Sequence, residues 1–101
     1  MDQLLVATLV VGHPISLTIY SRPGCHLCDE MRAVVERVAR LVPLTPLEFV
    51  EIDISRDAEL DERYRLEIPV LMVNGKKAAK YRITEEELTR ILMARAGKAG
   101  G

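Results

Sequence analysis

Cys25 and Cys28 stand two residues apart in Ser21-Arg22-Pro23-Gly24-Cys25-His26-Leu27-Cys28, and they are the only thiols in the 101-residue chain. A pair at this spacing can exchange with disulfides or help to hold a metal. For exchange, the first thiol must ionise readily and the second must be able to attack the sulfur that the first has captured. A closed zinc site needs four ligands. Beyond the pair the chain offers only His26 and His13 as soft ligands, and His26, inside the motif, points where the helix takes it, which leaves a site shared across a dimer as the metal alternative. No resident metal is expected.

The neighbours of the pair favour exchange. Ile15 to Tyr20 alternates Ile15, Leu17 and Ile19 with Ser16, Thr18 and Tyr20, a strand pattern. Pro23-Gly24 breaks that strand. From His26 to Val42 the period changes. Leu27, Met31, Val34, Val35, Val38, Leu41 and Val42 recur three and four apart, which predicts an amphipathic helix ended by Pro43 and Pro46. Cys25 therefore falls at a helix start, where unsatisfied N–H groups and the positive end of the dipole stabilise a thiolate.

Three charged or polar neighbours each have two readings. His26 stabilises the Cys25 thiolate through its ring N–H or its charge, or simply opens the helix. Arg22 adds positive potential, or is a solvated surface cation. Asp29 discourages ionisation of Cys28, or is an ordinary dipole partner in a first helical turn.

Further along, Glu48 to Ile54 reads as a second strand with Val50, Ile52 and Ile54 on one face. Ser55 is placed to cap a short helix from Arg56 to Arg65 anchored by Leu60 and Tyr64. Pro69 to Val73 and Lys77 to Tyr81 flank Asn74-Gly75, a two-residue hairpin signal. Thr84 and Glu87 form a capping box for a last helix carrying Leu88, Ile91 and Leu92, with Gly97 as its stop. The order is β-α-β-α-β-β-α. The first two strands should be parallel, the hairpin antiparallel, and helices should flank a four-stranded mixed sheet of α/β class. Residues 1–14 form an apolar N-terminal extension, 15–95 the domain and 96–101 a small-residue tail.

Composition removes several function classes. Fourteen basic side chains face fifteen acidic ones, and no basic tract suggests nucleic acid or an anionic membrane. Leu4 to Val11 is too short to span a bilayer and lacks the basic lead of a signal peptide. It reads equally as an extra edge strand, a dimer contact or a loosely held arm. Two cysteines do not make a disulfide-stapled secreted scaffold, so a cytoplasmic location is expected. No Gly-rich phosphate loop is present.

This order, with Cys-x-x-Cys between the first strand and helix and Ile68-Pro69 opening the third strand, resembles the thioredoxin superfamily. The short chain looks most like its glutaredoxin-like branch, over roughly Ile15 to Ala94. The resemblance implies a thioredoxin fold, with Cys25 as nucleophile and Cys28 as resolving thiol. It makes Pro69 a cis-proline against the disulfide and gives Ile68 a backbone that pairs with bound peptide or glutathione. Arg22 falls where glutaredoxins often carry a basic residue for the glutathione carboxylate. The chain departs from the pattern at Tyr81-Arg82-Ile83-Thr84-Glu85, where glutaredoxins usually have Gly-Gly and an acidic residue. The tryptophan and buried aspartate typical of thioredoxin are also missing.

The resulting expectation is a thiol–disulfide oxidoreductase running a dithiol/disulfide cycle on protein substrates, with an external thiol reductant and a role in electron transfer and cell redox homeostasis. No bound cofactor is implied, glutathione is a candidate co-substrate, and a monomer is favoured. Two alternatives stand: deglutathionylation through Cys25 alone, and a non-catalytic binding module that uses the Ile68-Pro69 edge.

Overall fold

The computed structural model describes residues 14–41 and 46–98. The Leu4–Val11 extension, His13, the Pro43 helix stop and the last residues of the tail lie outside them. Chain order is β1 (Ile15–Ser21), α1 (His26–Leu41), β2 (Leu47–Asp53), a 3-10 turn (Ile54–Arg56), α2 (Ala58–Tyr64), β3 (Val70–Val73), β4 (Lys76–Lys80) and α3 (Glu85–Lys98). The strands form one mixed sheet in the order β2-β1-β3-β4. β1 and β2 run parallel, while β3 is antiparallel to both β1 and β4. This is the expected topology.

Alternation in β1 sends Ile15, Leu17 and Ile19 to one face, where α1 and α3 cover them. Met31, Val35 and Val38 of α1 and Leu88 and Leu92 of α3 complete that core with Leu71 and Val73. The opposite face is covered by α2 through a smaller cluster of Ile54, Tyr64 and Val70, joined by Tyr20, Leu60 and Ile68. Tyr20 and Tyr64 stack there with ring centroids 4.7 Å apart, so both pack rather than react.

The hairpin turn has Asn74 at φ 51° and Gly75 at φ 82°, the left-handed pair that Asn-Gly supplies at least cost. The last helix opens with the expected box. The Thr84 N–H donates to Glu87 Oε1, and the Glu87 N–H donates to Thr84 Oγ1, both at 3.0 Å.

Four local expectations change. In β2 the residues packed on the main core are Leu47 and Phe49, whereas Val50 is 52% exposed. Both faces of this strand are apolar, so alternation alone could not say which one the larger core would claim. The seven-residue α2 covers Ile54 and β3 but leaves Val50 open. Leu41 is 68% exposed because burial along α1 stops at Val38. The cap of α2 is Asp57, whose carboxylate accepts the Leu60 N–H, while Ser55 lies in the 3-10 turn and donates to Asp53. Finally, α3 runs through Gly97 to Lys98. Glycine inside a helix costs only about 1 kcal/mol against alanine, so helical continuation remains open to it.

The two faces of the sheet can be told apart by mutation. Leu71→Ala, at a fully buried site, should cost about 2–5 kcal/mol in urea unfolding. Val50→Thr should stay within about 0.5 kcal/mol of wild type. A large loss at Val50 would return that residue to the core.

Candidate functional site

The loop between β1 and α1 is a tight reversal that sets the position of Cys25. The Cys25 N–H donates to the Arg22 carbonyl at 3.3 Å, with Pro23 and Gly24 between them. Gly24 sits at φ 80°. Proline followed by a left-handed glycine is the residue pattern of a type II turn. Any other residue at position 24 would be strained there.

Cys25 is the N-cap of α1. Its carbonyl accepts the first helical hydrogen bond, from the Asp29 N–H at 3.1 Å. Its Sγ accepts the Cys28 N–H, also at 3.1 Å. This is the bond a capping serine or aspartate makes, with sulfur in the oxygen's place. A negative charge on that sulfur is stabilised by the donated N–H and by the dipole of the sixteen-residue helix.

Cys25 and Cys28 form a disulfide with Cα atoms 5.2 Å apart. Their accessibility differs: Cys28 is fully buried against the helix interior, whereas Cys25 is only half-buried. An incoming molecule can therefore reach Cys25 alone.

The register brings the other predicted residues to the same end of the sheet. Tyr20 pairs with Val70, so the chain leaving β1 towards the cysteines passes the chain entering β3 at Pro69. The Ile68–Pro69 bond is cis and Pro69 is buried. Among the described residues, no hydrogen bond engages the N–H or carbonyl of Ile68, leaving its backbone free at this end of the sheet.

His26 opens α1 and is exposed. Arg22 is drawn sideways: its guanidinium pairs with Asp61 of α2, so much of its charge is answered before it reaches Cys25. Asp29 pairs with Arg32 at 3.1 Å. Arg32 also grips Glu51 of β2 at 2.6 Å, and the Ser21 hydroxyl donates to the same carboxylate at 2.8 Å. Among the described residues, no three His, Cys, Asp or Glu side chains are grouped to hold a metal ion, and no helix is long and apolar enough to cross a membrane.

Tyr81 is the feature least visible from sequence. It adopts φ 70°, a conformation natural to glycine and costing another residue about 1–2 kcal/mol. Two hydrogen bonds hold it there. Its N–H donates to the Pro69 carbonyl at 2.8 Å, and its hydroxyl donates to the Leu66 carbonyl at 2.7 Å. Tyr81 thus ties β4 to the cis-proline loop. Its one sequence signal is its place where the resembling family carries Gly-Gly. With Arg82, Ile83 and Thr84 it lines a cleft of about 230 Å³ whose other wall is Leu27, Glu30, Met31 and Val34 of α1.

The Arg32–Glu51–Ser21 network ties the loop end of β1 to β2 and α1. Its hydrogen bond from Arg32 is the main reason that Glu51 stays ionised below the usual carboxylate range. The folded-state value is lowered, so the stabilisation is complete above the ordinary value and disappears as pH falls through the lowered one. Both groups are partly exposed. Glu51→Gln should therefore cost only about 0.5–1 kcal/mol at neutral pH. That gap should close in acid when urea unfolding is followed against pH. A gap that persists at acid pH would show that shape rather than charge is responsible.

A family model for the glutaredoxin-like domain (DUF836) matches residues 16–93. The glutaredoxin-like protein YDR286C homolog of Dictyostelium discoideum is 29% identical over 77 residues, spanning 73% of this chain and 71% of that protein. Among solved structures, the target protein XcR50 from X. campestris has a TM-score of 0.58 and 28% identity, over 77% of this chain and 96% of its own. Chloroplastic thioredoxin z aligns with a TM-score of 0.64 over 98% of this chain and 88% of its own, at 17% identity. That last likeness speaks for the fold alone. Topology, the cis-proline and the family match agree over most of the chain: it is a thioredoxin-fold protein that belongs to the glutaredoxin-like domain family (DUF836).

Proposed function

We propose that the protein is a thiol–disulfide oxidoreductase that reduces protein disulfides through Cys25 and Cys28. The observation that carries this reading is the asymmetry of the pair. One sulfur is reachable and caps a helix, and the other is enclosed one turn below it.

In the reduced protein, the Cys25 thiolate attacks one sulfur of a substrate disulfide. A mixed disulfide forms and the other substrate sulfur leaves as a thiolate. Cys28 then loses its proton and attacks the Cys25 sulfur, releasing the second substrate thiolate and closing the intramolecular disulfide. The substrate gains two electrons and the protein loses two. An external thiol reductant restores the pair, a cycle suited to a reducing cytoplasm. The free backbone of Ile68 beside Pro69 would pair with an extended substrate segment in the manner of strand addition. His26, exposed at the helix start, adds its ring to the positive side of the site. Arg22, held by Asp61, serves mainly to fix the loop.

Glutathione is the weaker co-substrate in this reading. Tyr81 and Arg82 put bulky side chains along the cleft where a glycine pair would let the γ-glutamyl group approach the backbone, and Arg22 is already engaged.

Two measurements test the proposal. Cys28→Ser should accumulate a stable mixed disulfide through Cys25, and Cys25→Ser should lose insulin-disulfide reduction entirely. Near-normal reduction by Cys25→Ser would mean that the nucleophile is misassigned. NMR titration of the Cys28→Ser variant should give millimolar glutathione affinity, about 4 kcal/mol. Micromolar binding would favour deglutathionylation through Cys25 instead.

A further inference from the structure

The surface beside the cleft is both apolar and basic. Leu66 is 81% exposed and Tyr81 41% exposed, and the Tyr81 hydroxyl bonds to the Leu66 carbonyl, so these side chains are neighbours. Lys80 Nζ stands 5.5 Å from the centre of the Tyr81 ring. Arg82 lines the cleft opposite Leu27, the residue between the site's two cysteines in helix α1, and Arg65 precedes Leu66 in the chain. Among the described residues Arg65, Lys80 and Arg82 form no ion pair, unlike Arg22, Arg32, Arg37 and Lys77.

Nearby carboxylates offset these cations only in part. Glu67 is taken by Lys77 at 2.5 Å, and Asp61 by Arg22. The Glu87 carboxylate is turned to the Thr84 N–H and hydroxyl. Glu30 and Glu87 both line the cleft with Arg82 without an ion pair. On the far side of the loop the balance reverses, where Asp29, Glu51 and Asp53 share a depression with Arg32 and Arg22. On the Tyr81 side the unpaired cations Arg65, Lys80 and Arg82 thus outnumber the unpaired cleft carboxylates Glu30 and Glu87.

We infer that the preferred substrates are protein disulfides whose reactive cysteine lies in an extended segment with an apolar residue and acidic side chains. The Ile68 backbone pairs with the segment, Leu66 and Tyr81 receive the apolar side chain, and Lys80 and Arg82 receive the carboxylates. This inference rests on the proposed reductase activity and specifies its substrate class. Exposed charges act mainly on encounter, so the preference should appear in kcat/KM and weaken with salt.

The test uses two symmetric peptide disulfides of identical length, each with Leu beside Cys and flanked by two Glu or by two Lys. Single-turnover oxidation of the reduced protein is followed by separating its dithiol and disulfide forms. The Glu peptide should react about tenfold faster at low ionic strength, and the ratio should approach unity in concentrated salt. The double variant Lys80→Glu with Arg82→Glu should invert the order. Lys76→Glu, at the exposed hairpin turn, should keep it. Equal rates for the two peptides, or a faster Lys peptide, would overturn the inference while leaving the reductase reading intact. Reduction of neither peptide would overturn the reductase reading itself.

Discussion

The hydrogen bond from the Cys28 N–H to the Cys25 sulfur is the contact around which the site is organised. It makes the Cys25 sulfur the cap of α1. A sulfur in that position satisfies a donor that would otherwise be orphaned at the helix start. The arrangement requires the chain to leave β1, reverse over four residues and enter α1 with Cys25 outside the first turn. Gly24 at positive φ makes that reversal possible, and the Ser21–Glu51–Arg32 network holds the strand and helix on either side of it.

The sheet does the rest by register. Because β1 is antiparallel to β3, the end of one strand and the start of the other meet, which sets Pro69 and Ile68 at the end of the sheet from which the chain leaves for the cysteines. β4 then returns to the same end, where Tyr81 bonds to Pro69 and Leu66. A tyrosine in a left-handed conformation is a cost that the surrounding contacts must offset. Such outliers persist where the local structure over-determines them and often mark functional surfaces. Here the cost secures the loop next to the site and gives the cleft an aromatic wall.

This placement puts bulky side chains where the glutaredoxin pattern would put a glycine pair. A glycine pair leaves room for a small ligand to meet bare backbone. Tyr81 and Arg82 instead line the cleft with an aromatic and a cationic side chain. Family membership therefore accounts for the fold, while Tyr81 and Arg82 give the cleft its own lining.

Much of the fold was legible in local sequence because local rules govern it. Alternation marked β1, a helical apolar stripe marked α1, Asn-Gly marked the hairpin, and Thr84 with Glu87 marked the start of α3. Each signal involves residues only a few positions apart, so backbone geometry alone fixes its meaning. The cysteine pair was legible for the same reason. Tertiary structure decided which face of β2 met the larger core, since Leu47 and Phe49 compete with Val50 and Ile52 on equal hydrophobic terms. It also engaged Arg22 with Asp61, set Glu51 against Arg32, and turned Tyr81 towards Pro69 and Leu66. Most of these contacts join residues far apart in the chain, and none is visible until the sheet has aligned its strands. The sequence alone determined where a reactive sulfur could arise; the packed sheet and helices decided which sulfur can be reached and what surrounds it.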